Sequence, residues 1–125
     1  MSPYGGYQNY KEASVNTMTK GELLILLYDE LLKRLMRAEL ALNKQDYDLF
    51  ETSIVRCRDI VLYLKDTLDY KYEISSQLRN MYDFFLLEIS KIQAGRRVEV
   101  IAELRPLVTE LRDTFKEADR LSSAG

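Results

Sequence analysis

The chain of 125 residues contains no histidine, no tryptophan and only one cysteine. Without histidine, the Ser-His-Asp and Cys-His pairs of nucleophilic catalysis and the Glu-x-x-His motif of di-iron bundles cannot form. Most zinc sites are excluded for the same reason, and the sequence has no glycine-rich phosphate-binding loop. Cys57 cannot form an internal disulfide, and its place in an apolar helical stripe predicts a buried structural thiol. We therefore expect no enzyme activity, no cofactor and no metal site.

Glycine and proline are scarce, and positive charge is not in excess. Five glycines and two prolines leave little material for turns, so we expect few and long elements. A formal charge of −2 and an isoelectric point near 5.3 do not fit binding to nucleic acid or to an anionic membrane. The longest apolar run, residues 23–28, is far shorter than the ~20 residues that span a bilayer, and no signal-peptide pattern precedes it. These absences predict a cytoplasmic protein with no nucleic-acid partner and no membrane insertion.

Apolar residues recur at alternating spacings of four and three along four stretches, which is typical of helices that bury one face. The predicted helices span approximately residues 19–42, 46–67, 74–94 and 97–121. Because the connections are short, consecutive helices must run antiparallel. We therefore predict an all-α fold, an antiparallel up-down-up-down four-helix bundle of residues 19–121. A flexible N-terminal arm of residues 1–18 precedes the bundle, and a disordered tail of residues 122–125 follows it.

Each predicted helix has one seam of residues that faces the core. In the first helix this seam comprises Leu24, Tyr28, Leu31, Leu35, Ala38 and Leu42. The seam of the second helix comprises Phe50, Ile54, Cys57, Val61, Leu64 and Leu68. The third helix offers Ile74, Leu78, Met81 or Tyr82, Phe85, Ile89 and Ile92. The seam of the fourth helix comprises Ile101, Leu104, Val108, Leu111, Phe115 and Ala118.

Local signals mark where the helices begin, end and bend. Thr19 followed by Glu22 is a capping box that starts the first helix, and Asp46 can cap the second. Gly95 predicts a left-handed cap that ends the third helix. Pro106 removes one hydrogen bond from the fourth helix, which predicts a bend rather than a break.

The first helix is apolar over an arc of about 220°, whereas a bundle helix needs roughly 100°. One flank of its seam carries Ile25, Leu32 and Met36, and the opposite flank carries Leu23 and Leu27. Either this helix lies at the centre of the molecule, or its additional apolar surface binds a partner.

The N-terminal arm contains apolar residues at intervals, among them Tyr10 and Val15, but too few to fold alone. A tethered segment acts at a millimolar-range effective concentration, so these residues could cover the edge of the first helix while it is empty. A partner that buries more apolar surface could then displace them. The arm is therefore predicted to be a lid over a groove.

Two other interpretations remain open at this point. The additional apolar face could merely form a homodimer of a structural bundle, and a dimer that persists on dilution would reveal this. A small-molecule site is the weakest alternative, because the seams carry no polar groups besides Cys57 and the tyrosines. The tyrosines are typical of a core whose hydroxyl groups reach water. The many acidic residues lie mainly off the seams, which indicates solvated faces rather than a catalytic carboxylate pair.

Several motifs together resemble the flagellar export chaperones of the FliS type, over residues 10–121. They are YKEASV in the arm, ELLILLYDELL in the first helix, LDYKYEIS at the second turn, LRNMYDFFL in the third helix and ELRDTF in the fourth. The last motif usually ends in tryptophan, and Phe115 stands at that position here. The resemblance implies a chaperone that holds newly made flagellin in the bacterial cytoplasm.

The resemblance further implies that the disordered C-terminal segment of flagellin folds into helices in apolar grooves of the bundle. Binding would prevent premature polymerisation, and the flagellin would be delivered to a gate component of the flagellar type III export apparatus. No nucleotide would be needed, and the lid residues Tyr10 and Val15 would leave the groove on binding. Likeness and position together indicate a flagellin-binding set of Leu23, Ile25, Leu27, Leu32, Met36, Ile60, Tyr63 and Tyr82. The chaperone would be a monomer or a weak homodimer, and the alternative function is a homo-oligomeric bundle with a structural or regulatory role.

Overall fold

The computed structural model describes residues 18–124, which form four helices. They are α1 (Lys20–Asn43), α2 (Tyr47–Asp66), α3 (Ile74–Gly95) and α4 (Val98–Ala124). The sequence places these helices within three residues of their observed bounds. α4 continues to Ala124, so residues 122–124 form its last turn and not the disordered tail that we expected. Residues 1–17 of the arm, which include Tyr10 and Val15, lie outside the described residues.

The helices form a ring in which each packs against the next and α4 closes against α1. The largest interfaces join α1 to α2 and to α4, whereas the interface between α3 and α4 is the smallest of the four. α1 and α3 therefore lie diagonally across the bundle. Within residues 18–124 all regular structure is helical, which confirms the all-α four-helix bundle. α1 is one member of the ring, so the alternative of a wholly buried central helix is wrong.

The core forms where the four predicted seams meet. Most seam positions are buried, including Tyr28 on α1, Phe50 on α2 and Ile101 on α4. Where the pattern left two choices on α3, Tyr82 is in the core and Met81 is exposed. Two seam positions are wrong: Ile74 and Ala118 are both exposed. Both lie towards helix ends, where fewer neighbouring side chains cover them.

Two of the three helix caps predicted from the sequence are confirmed. The Thr19 hydroxyl oxygen accepts the Glu22 N–H at 3.1 Å, and the Asp46 carboxylate accepts the Leu49 N–H at 3.1 Å. Gly95, however, stays in the helix, and the left-handed residue is Arg96, with φ 51° and ψ 47°.

Arg96 adopts this backbone conformation although a side chain there is sterically unfavourable. Its guanidinium group lies 3.7 Å from the centre of the Tyr47 ring at the start of α2. This cation–π contact is worth about 0.5–1 kcal/mol at an exposed position, which partly offsets the backbone cost. The left-handed position thus falls one residue later than the sequence predicts, at a residue that contacts the start of α2, a neighbouring helix in the ring.

Cys57 is fully buried in the middle of α2, as the sequence predicts. Burial raises the pKa of its thiol from 9.0 to about 12. Because the thiolate is the reactive form, this cysteine is an inert core residue at neutral pH.

The raised pKa predicts that Cys57 makes the protein less stable in alkaline solution. In the unfolded chain the thiol loses its proton near pH 9.0, whereas in the folded chain it keeps it until about pH 12. The unfolded state therefore binds fewer protons, and stability falls as the pH rises through this window. In reducing buffer, the free energy of unfolding should fall by about 1.4 kcal/mol more between pH 8 and pH 10 than it does in Cys57→Ala. The free energy of unfolding is measured by urea denaturation at each pH. An equal fall in the two proteins would show that the pKa of Cys57 is not raised in the folded state.

Candidate partner-binding grooves

Two recesses open along α1, one on each flank of its buried seam. The first, the end cleft, has a volume of about 460 Å³ and lies where the start of α1 meets the end of α2 and the start of α3. Its walls are mainly apolar, and they include Leu23, Leu24, Leu27, Tyr63, Leu68, Tyr72, Ile74, Leu78 and Phe115. The cleft is therefore suited to apolar side chains.

A pair of buried tyrosines lies beneath the end cleft. The hydroxyl groups of Tyr28 on α1 and Tyr82 on α3 are 2.6 Å apart and form a hydrogen bond across the bundle. Tyr28 also packs against Phe115 of α4, with 5.7 Å between the ring centres. Burial raises the pKa of both tyrosines, so both stay neutral at physiological pH. Three helices are thus joined at this end of the bundle.

The second recess, the α1–α4 groove, is longer and shallower, with a volume of about 1200 Å³. Its apolar surface comes from Leu26, Leu32 and Met36 on α1 and from Ala102 and Pro106 on α4. Met36 is 46% exposed, whereas Leu32 is only 8% exposed and forms part of the floor. A helix or an extended segment could lie between the two helices here.

Two ion pairs join α1 to α4 along this groove. An Arg105 guanidinium nitrogen lies 2.7 Å from a Glu39 carboxylate oxygen, and an Arg112 nitrogen lies 3.1 Å from Asp29. Partly exposed pairs contribute at most about 1 kcal/mol each to stability. Their main effect is to set the separation and register of the groove walls.

Pro106 lies in the wall of the same groove, and α4 continues through it as a helix. Proline has no N–H group, so the carbonyl of Ala102 lacks its usual partner four residues later. Ala102 and Pro106 are both exposed, and both line the groove. The groove therefore offers a backbone acceptor to water or to a donor on a bound chain.

The structure divides the predicted site residues between the two recesses. Leu23, Leu27, Tyr63 and Tyr82 come together at the end cleft, and Leu32 and Met36 lie in the α1–α4 groove. The remaining two lie elsewhere. Ile25 lies in a shallow depression beside Lys116, and Ile60 is partly buried against the core.

Two of the predicted residues have little surface that a partner could contact. Tyr82 is fully buried, and Leu32 is nearly so. They can serve a bound segment only as the floor beneath it. The sequence pattern could not reveal this, because it places both residues on apolar arcs without showing where neighbouring helices cover them.

Sequence reasoning missed part of the end cleft. Tyr72 and Ile74, at the second turn and the start of α3, line its mouth together with Phe115 of α4. The only available signal was the LDYKYEIS motif, which joins aromatic and apolar residues at that turn. Reading it as a wall of the cleft requires knowing that the turn folds back beside the start of α1.

The chain matches known proteins along nearly its whole length. The family model described as "Flagellar protein FliS" matches residues 3–122. The chain belongs to the FliS family. It is also similar to a protein of Bacillus subtilis (strain 168) named flagellar secretion chaperone FliS. The two are 30% identical over 125 aligned residues, which cover 95% of this chain and 94% of the relative. Membership of this family supports the function of a flagellar export chaperone.

Residues 18–124 lack the features of two other kinds of site. None of the helices there is long and apolar enough to cross a membrane. The same residues contain no group of three or more acidic or cysteine side chains that could hold a metal ion.

The paired hydroxyl groups beneath the end cleft predict a non-additive effect on stability. Tyr28→Phe or Tyr82→Phe leaves one buried hydroxyl without a partner, which should cost about 1–3 kcal/mol of unfolding free energy. The double variant removes both polar groups, so it should lose less than the sum of the two single variants. Urea denaturation of the four proteins measures the coupling. Simple additivity would show that the hydroxyl groups do not depend on each other.

Proposed function

We propose that this FliS-family chain is a cytoplasmic export chaperone that binds the disordered C-terminal segment of flagellin in the two recesses beside α1. Occupation of these recesses prevents premature polymerisation, and the complex is delivered to a gate component of the flagellar type III export apparatus. The observation that carries the proposal is that one helix presents apolar residues to two open recesses, on opposite flanks of its buried seam.

A disordered partner requires a long apolar track. Ordering such a segment consumes about 2–5 kcal/mol of the gross interaction energy. Burial of apolar surface returns about 25 cal/mol per Å², so several hundred Å² must be covered for useful affinity. A track that runs along α1 and includes both the end cleft and the α1–α4 groove supplies more surface than either recess alone.

The chemistry of the recesses fits helical segments of the partner. In this binding mode an amphipathic helix inserts apolar side chains into a groove at spacings of three and four residues. Met36 and Leu23 supply apolar contacts near opposite ends of α1. The exposed Ala102 carbonyl can accept a hydrogen bond from a donor near the end of a bound helix.

The arm acts as a lid on this track. Its last residues lead directly into Lys20, which lines the end cleft. Tyr10 lies nine residues before Thr19, and an extended chain of that length can span about 30 Å, which is enough to bring Tyr10 over either recess. Val15 lies four residues before Thr19, so it can reach about 13 Å, to the adjoining end cleft. Because the arm competes with flagellin for the same apolar surface, it shields that surface while the chaperone is empty.

Substitutions at the two recesses test the binding site. Leu23→Asp and Met36→Asp should each weaken binding of a flagellin C-terminal peptide at least tenfold in calorimetry, because a carboxylate would be desolvated in an apolar contact. Helical content should stay near normal, since both side chains are partly or largely exposed. Leu49→Asp is the matched control, because Leu49 is similarly exposed on α2 and lines neither recess.

Leu32→Asp gives the complementary result. Leu32 is nearly buried, so this variant should lower the melting temperature instead of acting on binding alone. Normal peptide affinity in both Leu23→Asp and Met36→Asp would refute the proposed site. If the protein forms a concentration-dependent dimer and Met36→Asp converts it to a monomer, the homo-oligomeric alternative is favoured.

Removal of the arm tests the lid. Deletion of residues 1–17 should raise affinity for the flagellin peptide and lower the solubility of the empty protein, because an intramolecular competitor is lost. Deletion of residues 1–8 alone keeps Tyr10 and Val15 and should leave both properties unchanged. Equal affinity of all three proteins in calorimetry would show that the arm does not cover the binding surface.

A further inference from the structure

The interface between α3 and α4 is unlike the other three interfaces of the bundle. It has the least contact, and within residues 18–124 no side-chain ion pair or hydrogen bond joins these two helices. An open groove of about 620 Å³ runs along it. This α3–α4 groove shares no lining residue with the end cleft, and it adjoins the α1–α4 groove along Glu110 and Thr114 of α4.

Large apolar side chains line the α3–α4 groove and remain open to solvent. Phe84 on α3 is 44% exposed, and Leu107 on α4 is 41% exposed. Met81 lies one helical turn before Phe84 and is similarly exposed. Adjacent exposed apolar side chains from two helices form a continuous patch, which is typical of a protein-binding surface.

The α4 wall of the groove consists of Leu107, Glu110, Leu111 and Thr114, so one carboxylate lines it directly, and further carboxylates continue its row beyond the groove. A second row runs along α4 at spacings of four and three, about 110° from the buried seam. Its members are all exposed, and they are Glu103, Leu107, Glu110, Thr114, Glu117 and Leu121. Within the described residues, the carboxylates of Glu103 and Glu110 form no ion pair, whereas Glu117 pairs with Arg120.

The opposite wall of the groove is neutral. On α3 the polar residues that line it are the amides Gln77 and Asn80. The groove therefore has an apolar floor, one acidic edge and one uncharged edge. A complementary partner therefore has apolar side chains that face the floor and basic side chains on the edge that faces α4.

We propose that the α3–α4 groove is a second protein-docking site, which takes an amphipathic helix whose apolar stripe is bordered by Lys or Arg on the edge facing α4. Apolar residues of that helix contact Phe84 and Leu107, and its basic residues pair with Glu103 and Glu110. The partner is distinct from the segment bound beside α1. The inference does not depend on the identity of that segment.

Charge argues against a second copy of this chain as the occupant. A symmetric dimer formed through this face would bring the same surface of both copies together. Where the two-fold axis crosses the groove, Glu103 and Glu110 of one copy approach the acidic row of the other, and like charges at an interface are unfavourable. Where the axis runs along the groove, the acidic row faces the neutral α3 edge of the other copy and gains no ion pair. A helix of opposite charge is the complementary partner.

Two designed peptides test the proposal directly. Both are labelled 18-residue helices with the same leucine stripe, one bordered by lysine and the other by glutamate. The wild-type protein should bind the lysine peptide at least tenfold more tightly than the glutamate peptide in fluorescence anisotropy. The difference should shrink as salt is added, because exposed ion pairs are screened.

Variants of the groove locate the binding. Phe84→Ser and Glu110→Lys should each weaken binding of the lysine peptide at least tenfold. Leu62→Ser and Asp59→Lys are matched controls on exposed positions of α2, with the same changes in polarity and charge, and should bind normally. Circular dichroism should show the same helical content in all four variants, since all four side chains are exposed.

Three outcomes would overturn the proposal. Equal binding of the two peptides, or no effect of Phe84→Ser, would show that the groove has no such preference. If light scattering shows a dimer and Phe84→Ser converts it to a monomer, the groove is a contact between copies. Loss of flagellin-peptide binding in Phe84→Ser would make it part of the substrate track. Failure of the proposed function is a separate result, because that depends on Leu23→Asp and Met36→Asp.

Discussion

A helix in a four-membered ring can bury only the arc that faces the core and its two neighbours, and this constraint governs the molecule. α1 meets it with a seam centred on Tyr28, Leu31 and Leu35, all of which are fully buried. Its apolar arc of about 220° extends well beyond that seam. The excess falls on two flanks, and each flank borders a recess. The two recesses beside α1 follow from this mismatch between apolar arc and available cover.

Polar contacts then determine where the bundle is tight and where it stays open. The Tyr28–Tyr82 hydrogen bond joins diagonal helices beneath the end cleft, and two ion pairs hold α4 beside α1. Between α2 and α3, Lys65 pairs with Asp83 at 2.6 Å. The α3–α4 interface has no comparable polar link within the described residues, so its apolar side chains stay apart and accessible. Differences between the interfaces thus leave separate open grooves on one small bundle.

Regular patterns were the most reliable guide to the fold. The alternation of four and three identified all four helices, and it placed Cys57 and Phe85 correctly in the core. Side-chain capping by Thr19 and Asp46 was equally local, so it could be read from neighbouring residues. The pattern failed at Gly95, because the left-handed position falls on Arg96, where a contact with Tyr47 offsets part of the backbone cost. It also could not foresee that Leu32 would be covered by other helices, and it left open whether Tyr82 or Met81 lies in the core.

The sequence by itself determined the helical class, the number of helices, the main seams and the two apolar flanks of α1, because these depend on spacing along one chain. Family resemblance determined the expected function, and it is carried by five motifs in the arm, the second turn and three of the helices. Only the tertiary structure decided which flank meets which recess and which apolar residues stay exposed. It also brought Phe84 and Leu107, which are 23 positions apart in the chain, into one groove with an acidic edge. Those properties depend on how neighbouring helices pack, and no pattern within a single helix contains that information.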